Sequence, residues 1–453
     1  MTNDEKLKWE RPSRTRLETT NIQGILKISK KNQGFSKSFF ALSASRHSFD
    51  IKNCWVYKTA MFKFSVPRWT MAILCACATT WGQEANPRVR LSAWYWLNSA
   101  PKADWEGDFT TMKNLGFTDV LLCWGLDLAG VITRKTETKQ AVRWAHKAGI
   151  GVYLIVWHPS ANSLVRSPEF MQVDANGKRL DTFDVFNSRW RATQWKDYLQ
   201  AVGKTYGDEP AMSGYVFDDS FGSANISYGA WEEKVFGSPL PWKPGDPRWD
   251  DWTKARQGWW EDWAKDTVDS IRAVDSNPRH EIYLEDTIGR ITDPKQQASI
   301  GLDFARVARH FDAVGGYTSP TWTSNLDSEE KVRHLTENAI ESVRKIVGPK
   351  KQVVYTFWSA NIAEEHKPGP AAYPSAVQIQ NVCEQALKLG VRHLDMYGFR
   401  IGEYRVTKKE MERMVPAEPA PYVLTGQFPQ KFMWDRPEIQ TDLGTYLRGL
   451  NQK

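Results

Sequence analysis

Two carboxylate doublets close apolar runs in this chain: Asp218-Asp219 follows Met212–Phe217, and Glu285-Asp286 ends the run that begins at Glu281. Two carboxyl groups facing each other across a cleft can divide acid–base work, one protonating a leaving oxygen while the other attacks carbon or activates water. Neighbouring side chains on an extended strand point to opposite sides, so each doublet is expected to send one acid inward. If Gly214 and Val216 share the inward face, Asp218 follows them. The first choice of pair is Asp218, as nucleophile or base, with Glu285 as acid, and Asp219 and Asp286 are the alternates. Either doublet could instead cap the turn or helix that follows it, a common use of Asp.

The residues at the ends of the other apolar runs are aromatic or polar: Trp94 and Trp96, Trp124, His158, Tyr317 and Trp322, Trp358, Asp395 and Tyr397. A sugar ring has apolar C–H faces bounded by hydroxyls. An indole covers the face, while carboxylates, His and Tyr bond the hydroxyls. With 22 tryptophans in the chain, several of them in loops (Trp231, Trp242, Trp249, Trp252), a carbohydrate ligand fits this set. Trp259, Trp260 and Trp263 have the spacing of helix-packing residues instead.

To bring such residues together, the chain must gather its strand ends on one face. Short apolar runs read as strands at Val89–Trp96, Asp119–Cys123, Gly151–Trp157, Met212–Phe217, Glu281–Glu285, Ala313–Gly316, Gln352–Phe357 and His393–Met396. Between them lie amphipathic segments at Asp104–Leu115, Thr138–Ala148, Arg189–Tyr206, Thr253–Val274, Phe304–His310, Glu329–Val347 and Ala376–Leu389, several stopped by a glycine (Gly116, Gly149, Gly207, Gly348, Gly390). Eight strands alternating with helices predict an α/β fold, a (β/α)8 TIM barrel, whose functional groups sit at the carboxyl ends of the strands. Long connections follow the third strand (His158 to Ser188) and the fourth (Asp218 to Trp252), both on that face. The barrel is assigned to residues 83–415. Residues 416–453 form a Pro-rich linker and a last helix within Pro437–Leu450 that packs on the barrel.

The net charge of +7 raises the question of an anionic partner. Residues 1–60 hold 12 Lys and Arg against 5 Asp and Glu, which is the whole surplus; residues 61–453 balance 48 against 48. The neutral body excludes a nucleic-acid partner. Met61 opens a short basic region, an apolar stretch from Thr70 to Ala78 and small residues near Gly82, which is the form of a secretory signal peptide over 61–82. Residues 1–60 are then an extension ahead of the true start, or a disordered basic arm. A secreted or periplasmic bacterial location follows. Leu74-Cys75-Ala76-Cys77 leaves a lipid anchor open, although Cys75 departs from the small residue that precedes a lipidated cysteine. The apolar stretch is too short to span a bilayer. Of five cysteines only Cys123 and Cys383 lie beyond the leader, and both are expected to be free and buried. No spacing resembles a zinc site, the histidines are scattered singly, and the DANGKRLD run reads as a turn rather than a calcium loop, so no metal or other cofactor is expected.

Three stretches carry a resemblance: GYVFDDSFG at the fourth strand, FNSRWRATQWKDYLQAVGKTYGDEPAMSGY before it, and VDANGKRLD earlier still. They resemble (β/α)8-barrel glycoside hydrolases, in many of which a helix ending in Tyr-Gly-Asp-x-Pro leads into a Gly-aromatic strand carrying a catalytic acid. That resemblance implies hydrolysis of an O-glycosyl bond in a polysaccharide or oligosaccharide. The largest retaining clan places Asn-Glu on strand four and Glu on strand seven, whereas this chain has Asp218-Asp219-Ser220 and an acid-free TFWSA. It is closer to the arrangement of the α-amylase and α-galactosidase kinds, with Asp on strand four and its partner on strand five or six. The missing strand-seven acid motivates the alternative of a sugar-binding barrel that has lost its catalytic pair.

Overall fold

In the computed structural model, the described residues are 88–97, 102–124, 130–156, 167–221, 227–241, 244–317, 329–358, 375–399 and 439–450. The chain divides into the units Met1–Gly82 and Gln83–Lys453, and every described residue belongs to the second. The expected leader and the Pro-rich linker lie outside the described residues.

The strands are β1 (Arg90–Trp96), β2 (Asp119–Cys123), β3 (Gly151–Ile155), β4 (Met171–Val173), β5 (Arg179–Phe183), β6 (Met212–Asp218), β7 (Glu281–Thr287), β8 (Ala313–Tyr317), β9 (Gln352–Trp358) and β10 (His393–Tyr397). Apart from β4 and β5 they form one closed parallel barrel in the order β1-β2-β3-β6-β7-β8-β9-β10. The eight predicted strands are these eight, shifted by at most two residues at either end. The alternation within each strand sorts side chains into two layers. Trp94, Trp96, Leu121, Cys123, Tyr153, Ile155, Val216, Tyr283, Ala313 and Val354 fill the interior, while Tyr95, Leu122, Leu154, Phe217, Leu284 and Phe357 face the helices.

One irregularity sets the phase of β6. Its pairing with β3 slips between Val152–Met212 and Tyr153–Gly214, which puts an extra residue on β6. Gly214 is where the backbone crowds its neighbour: a Cβ there would lie 1.9 Å from the Glu281 carbonyl oxygen. Beyond that point Val216 faces the interior, and Asp218 follows with the same parity.

The helices close the outer layer. Trp105–Leu115 and Lys135–Ala148 both end on left-handed glycines, Gly116 and Gly149, with φ of 101° and 72°. Gly207 also ends its helix but stays right-handed, at φ −57°. Leu443, Leu447 and Leu450 of the last helical segment are buried, and Arg448 Nη1 donates to the Asn114 carbonyl at 2.9 Å. This segment therefore seals the first helix.

The connection after β3 contains a feature absent from the sequence reading, the antiparallel β4–β5 hairpin. Its turn is built by Asp174, whose Oδ1 accepts from the backbone N–H of Asn176 and Lys178, each at 2.9 Å, with Gly177 at φ 78°. The DANGKRLD run is thus a turn in the hairpin. Cys123 lies in the barrel interior and Cys383 on a helix, both buried.

Candidate active site

Asp218 and Glu285 are register partners on the neighbouring strands β6 and β7. Both share the parity of interior residues, Val216 and Tyr283, and they are 3% and 0% exposed. Among the described residues, Asp218 Oδ1 and both oxygens of Glu285 have no hydrogen bond of good geometry. Burial pushes both carboxyls well above their ordinary range, and each is raised further by other acids: Asp218 chiefly by Glu285, and Glu285 chiefly by Asp395.

The second acid of each doublet turns elsewhere. Asp219 takes a left-handed φ of 45°, which Asp tolerates better than most residues, and its Oδ1 accepts from Arg290 Nη1 at 2.7 Å. Asp286 is fully buried but faces the loop that follows β6. It accepts from the backbone N–H of Phe221 at 2.9 Å and of Thr287 at 2.7 Å, and it pairs with the same Arg290. Burial lifts Asp286 to about 7 even though Arg290 pulls it down. Each doublet therefore divides its labour, with one acid in the barrel and one tied to Arg290.

Below this pair the interior is polar. Asp395 on β10 accepts from Trp94 Nε1 at 2.7 Å, Ser92 Oγ at 3.0 Å and Thr356 Oγ1 at 3.4 Å. Ser92 Oγ also stands 2.9 Å from His393 Nε2, and Tyr153 Oη donates to Glu281 Oε2 at 2.7 Å, with Arg90 bonded to both. None of Ser92, Tyr153, Glu281 or His393 was singled out by sequence. The signal was present in the strand alternation: RLSAWYW, EIYLEDT and HLDMY carry polar groups at the inward positions.

The aromatic candidates divide in the same way. Trp94 and Trp96 are fully buried in the barrel, their rings 4.8 and 6.3 Å from that of Tyr397. Tyr317, at the end of β8, has its phenol pushed far up by burial and then by Asp218, Asp219 and Asp286. Trp124 lies in the helix layer, donating to Thr138 Oγ1 at 2.8 Å beneath the Arg134 guanidinium, and so is not brought to the acids. Of Trp358 only the backbone is described, paired with Tyr397. His158, Trp242 and Trp322 lie outside the described residues. The expectation that loop tryptophans are spare for ligands is corrected for Trp231 and Trp252. Their rings pack 5.0 and 5.4 Å from Trp259, and Trp252 is fully buried. As expected, Trp260 and Trp263 are buried helix-packing residues.

A third acid cluster ties the long loops together. Asp184, Glu232 and Arg256 are all buried, with the Asp184 and Glu232 side chains bonded to each other. Burial raises both acids and lowers Arg256 to about 10.

No family model matches the chain, and no curated protein matches it. Among solved structures it is similar to a β-galactosidase from the psychrophilic Marinomonas ef1, at 13% identity and a TM-score of 0.53, over 80% of this chain and 59% of that one. It is similar to a β-galactosidase from Bacillus circulans sp. alkalophilus at 13% identity and a TM-score of 0.54, over 82% and 56%. It also matches the PgaB glycoside hydrolase domain from Bordetella bronchiseptica at 14% identity and a TM-score of 0.50, over 69% and 94%. The chain spans little more than half the length of the two galactosidases. What it shares with all three is the fold, a closed (β/α)8 barrel.

Proposed function

We propose that this barrel hydrolyses a glycosidic bond in a polysaccharide or oligosaccharide, with Asp218 as nucleophile and Glu285 as general acid and base. One observation carries the reading: two buried, inward carboxyls stand in register on adjacent strands at the carboxyl end of the barrel, with Asp218 Oδ1 and both Glu285 oxygens given no well-formed hydrogen bond by the described residues. A structural acid in such a place would be hydrogen-bonded, as Asp286 is. Glu285 suits the acid because the described residues give its oxygens no well-placed donor, only the Thr356 hydroxyl that it shares with Asp395, so its proton is held. That leaves Asp218 as the nucleophile, its carboxyl raised by burial and then by Glu285, with the Asp219 backbone N–H pulling the other way.

Adjacent strands lie about 4.8 Å apart, and side chains leaving them in register keep roughly that separation. This is close to the ~5–5.5 Å of retaining enzymes and short of what an intervening water needs. In the first step the Glu285 proton passes to the glycosidic oxygen as the C–O bond breaks, and Asp218 bonds the anomeric carbon. In the second, Glu285 takes a proton from water, the water oxygen replaces Asp218 on that carbon, and both carboxyls return to their starting state. Trp94, Trp96, Tyr317 and Tyr397 are the sugar contacts we retain among the described residues.

The test is release of reducing sugar from a panel of polysaccharides and aryl glycosides, with the product anomer followed by proton NMR. Asp218→Asn and Glu285→Gln should each lower turnover at least about 100-fold, and the first-formed anomer should match the substrate. Sugar binding without turnover in any form would favour a binding barrel, the reading that the acid-free TFWSA stretch suggests. Export through the 61–82 leader belongs to the same proposal, and no helix among the described residues is long and apolar enough to cross a membrane.

A further inference from the structure

Asp395 has the burial of a ligand-binding acid but not the free oxygens. Ser92 Oγ donates to Oδ1, and Trp94 Nε1 and Thr356 Oγ1 both donate to Oδ2, so three donors from two strands, β1 and β9, converge on one carboxyl that is 0% exposed. Glu285 is equally buried and has no such set; the Thr356 hydroxyl is the polar group it shares with Asp395. Glu285 and Asp395 compete for one negative charge, and it settles where the donors are.

We propose that Asp395 is a positioning residue for the proton of Glu285: held ionised by Ser92, Trp94 and Thr356, its fixed charge keeps Glu285 in the acid form. The proposal rests on the reading of Glu285 as the acid and adds what holds it so. It also moves Asp395 from the sugar contacts to the machinery beneath them.

The ordering of the groups around the pair agrees. Asp395 rises only to about 6, its burial opposed by His393 and by the same three donors, and so is ionised at neutral pH. Glu285 rises well beyond its ordinary range, with burial first and Asp395 second. The other titratable groups facing Glu285 are Asp218 from β6, and Asp286 and Tyr283 from its own strand. Asp286 pushes Glu285 in the same direction, whereas Asp218 is itself raised by Glu285. Asp218 borders the mouth and Asp286 is tied to Arg290, whereas Asp395 is anchored below. Ser92 extends the anchor: if its hydroxyl donates to Asp395, His393 Nε2–H must donate to Ser92.

The experiment reads the Glu285 proton directly. The infrared carbonyl band of protonated carboxyl groups is titrated from pH 5 to 9 in the full chain, and the Glu285 contribution is assigned by its loss in Glu285→Gln. In Asp395→Asn the midpoint of that contribution should fall by about one unit or more, and Asp395→Glu should restore most of it. Ser92→Ala, a milder change should Asp395→Asn fail to fold, should lower the midpoint in the same direction by less. If turnover is present, the basic limb of kcat/KM should move down with the band. An unchanged or raised midpoint in the folded variants would overturn the role given to Asp395. A lowered midpoint in a protein that cleaves no glycoside would keep that role and reject the glycosidase reading, so the two fail separately.

Discussion

Arg290 shows how two adjacent acids come to do different things. Its guanidinium holds Asp219 and Asp286 on one side of the strand ends, and among the described residues no cation pairs with Asp218 or Glu285. An unpartnered buried carboxyl is a liability for folding and an asset for chemistry. Asp218→Asn and Glu285→Gln are therefore expected to abolish turnover while leaving Tm unchanged or raised at pH 7. Asp286→Ala should do the opposite. It strands the Phe221 and Thr287 N–H groups and frees Arg290, with a loss of about 1–3 kcal/mol per unpaired buried group and a lower Tm in a thermal melt. Matching losses of stability in all three variants would mean that the four acids form one structural cluster.

At the scale of elements, the loops that rim the barrel are fastened by charge as well as by indoles. Arg256, on the helix Trp249–Arg272, donates through Nε and Nη2 to the Ile300 carbonyl at 3.2 and 2.9 Å, and its guanidinium lies 4.7 Å from the centre of the Phe186 ring. It is the cation for the Asp184–Glu232 pair, which joins the connection after β3 to the helix Ala230–Phe236 after β6. Removing one partner of a buried charged group leaves the others uncompensated, at a cost of about 3–5 kcal/mol. Arg256→Met should lower stability by that order and speed amide exchange in 168–187 and 229–236 ahead of the barrel strands. Uniform exchange across the whole chain would show that the fastener is not local. The strands and most helix stops could be read from sequence because they rest on local chemistry: alternation, and glycine after an apolar turn. Asp218 inward was readable for the same reason. The Arg256 staple was not, since its members lie 48 and 24 residues apart along loops without periodicity. Asp395 finds Ser92 and Trp94 across about 300 residues, through barrel closure alone. The tryptophans misled for a related reason, because residue type gives no direction and Trp252 and Trp231 point into the helix layer.

The whole molecule gathers these acids into one dependence on pH. Asp184, Asp218 and Glu285 are held well above their ordinary range, Glu232 is raised, and Asp286 and Asp395 rise from 3.8 to about 7 and about 6. A carboxyl whose folded value exceeds its unfolded one binds more protons in the folded state between the two, so folding stability falls as pH rises through that window. For Asp395 the window runs from about pH 4 to 6 and for Asp286 from about pH 4 to 7, with the higher acids continuing beyond. Glu281 works in the other direction. His393, Tyr153 and Arg90 hold it below its ordinary value against the pull of burial, so its contribution is present above the unfolded value and is lost as pH falls. The two trends together place greatest stability in mild acid, near pH 5, with Tm declining steadily toward pH 8. Glu285→Gln removes one of the raised acids and should flatten that decline. Melts at half-unit steps from pH 4 to 8.5 decide the matter. A Tm that is level or rising above pH 5 would mean that water or a cation reaches these carboxyls, and that the proton on Glu285 is not held by the barrel.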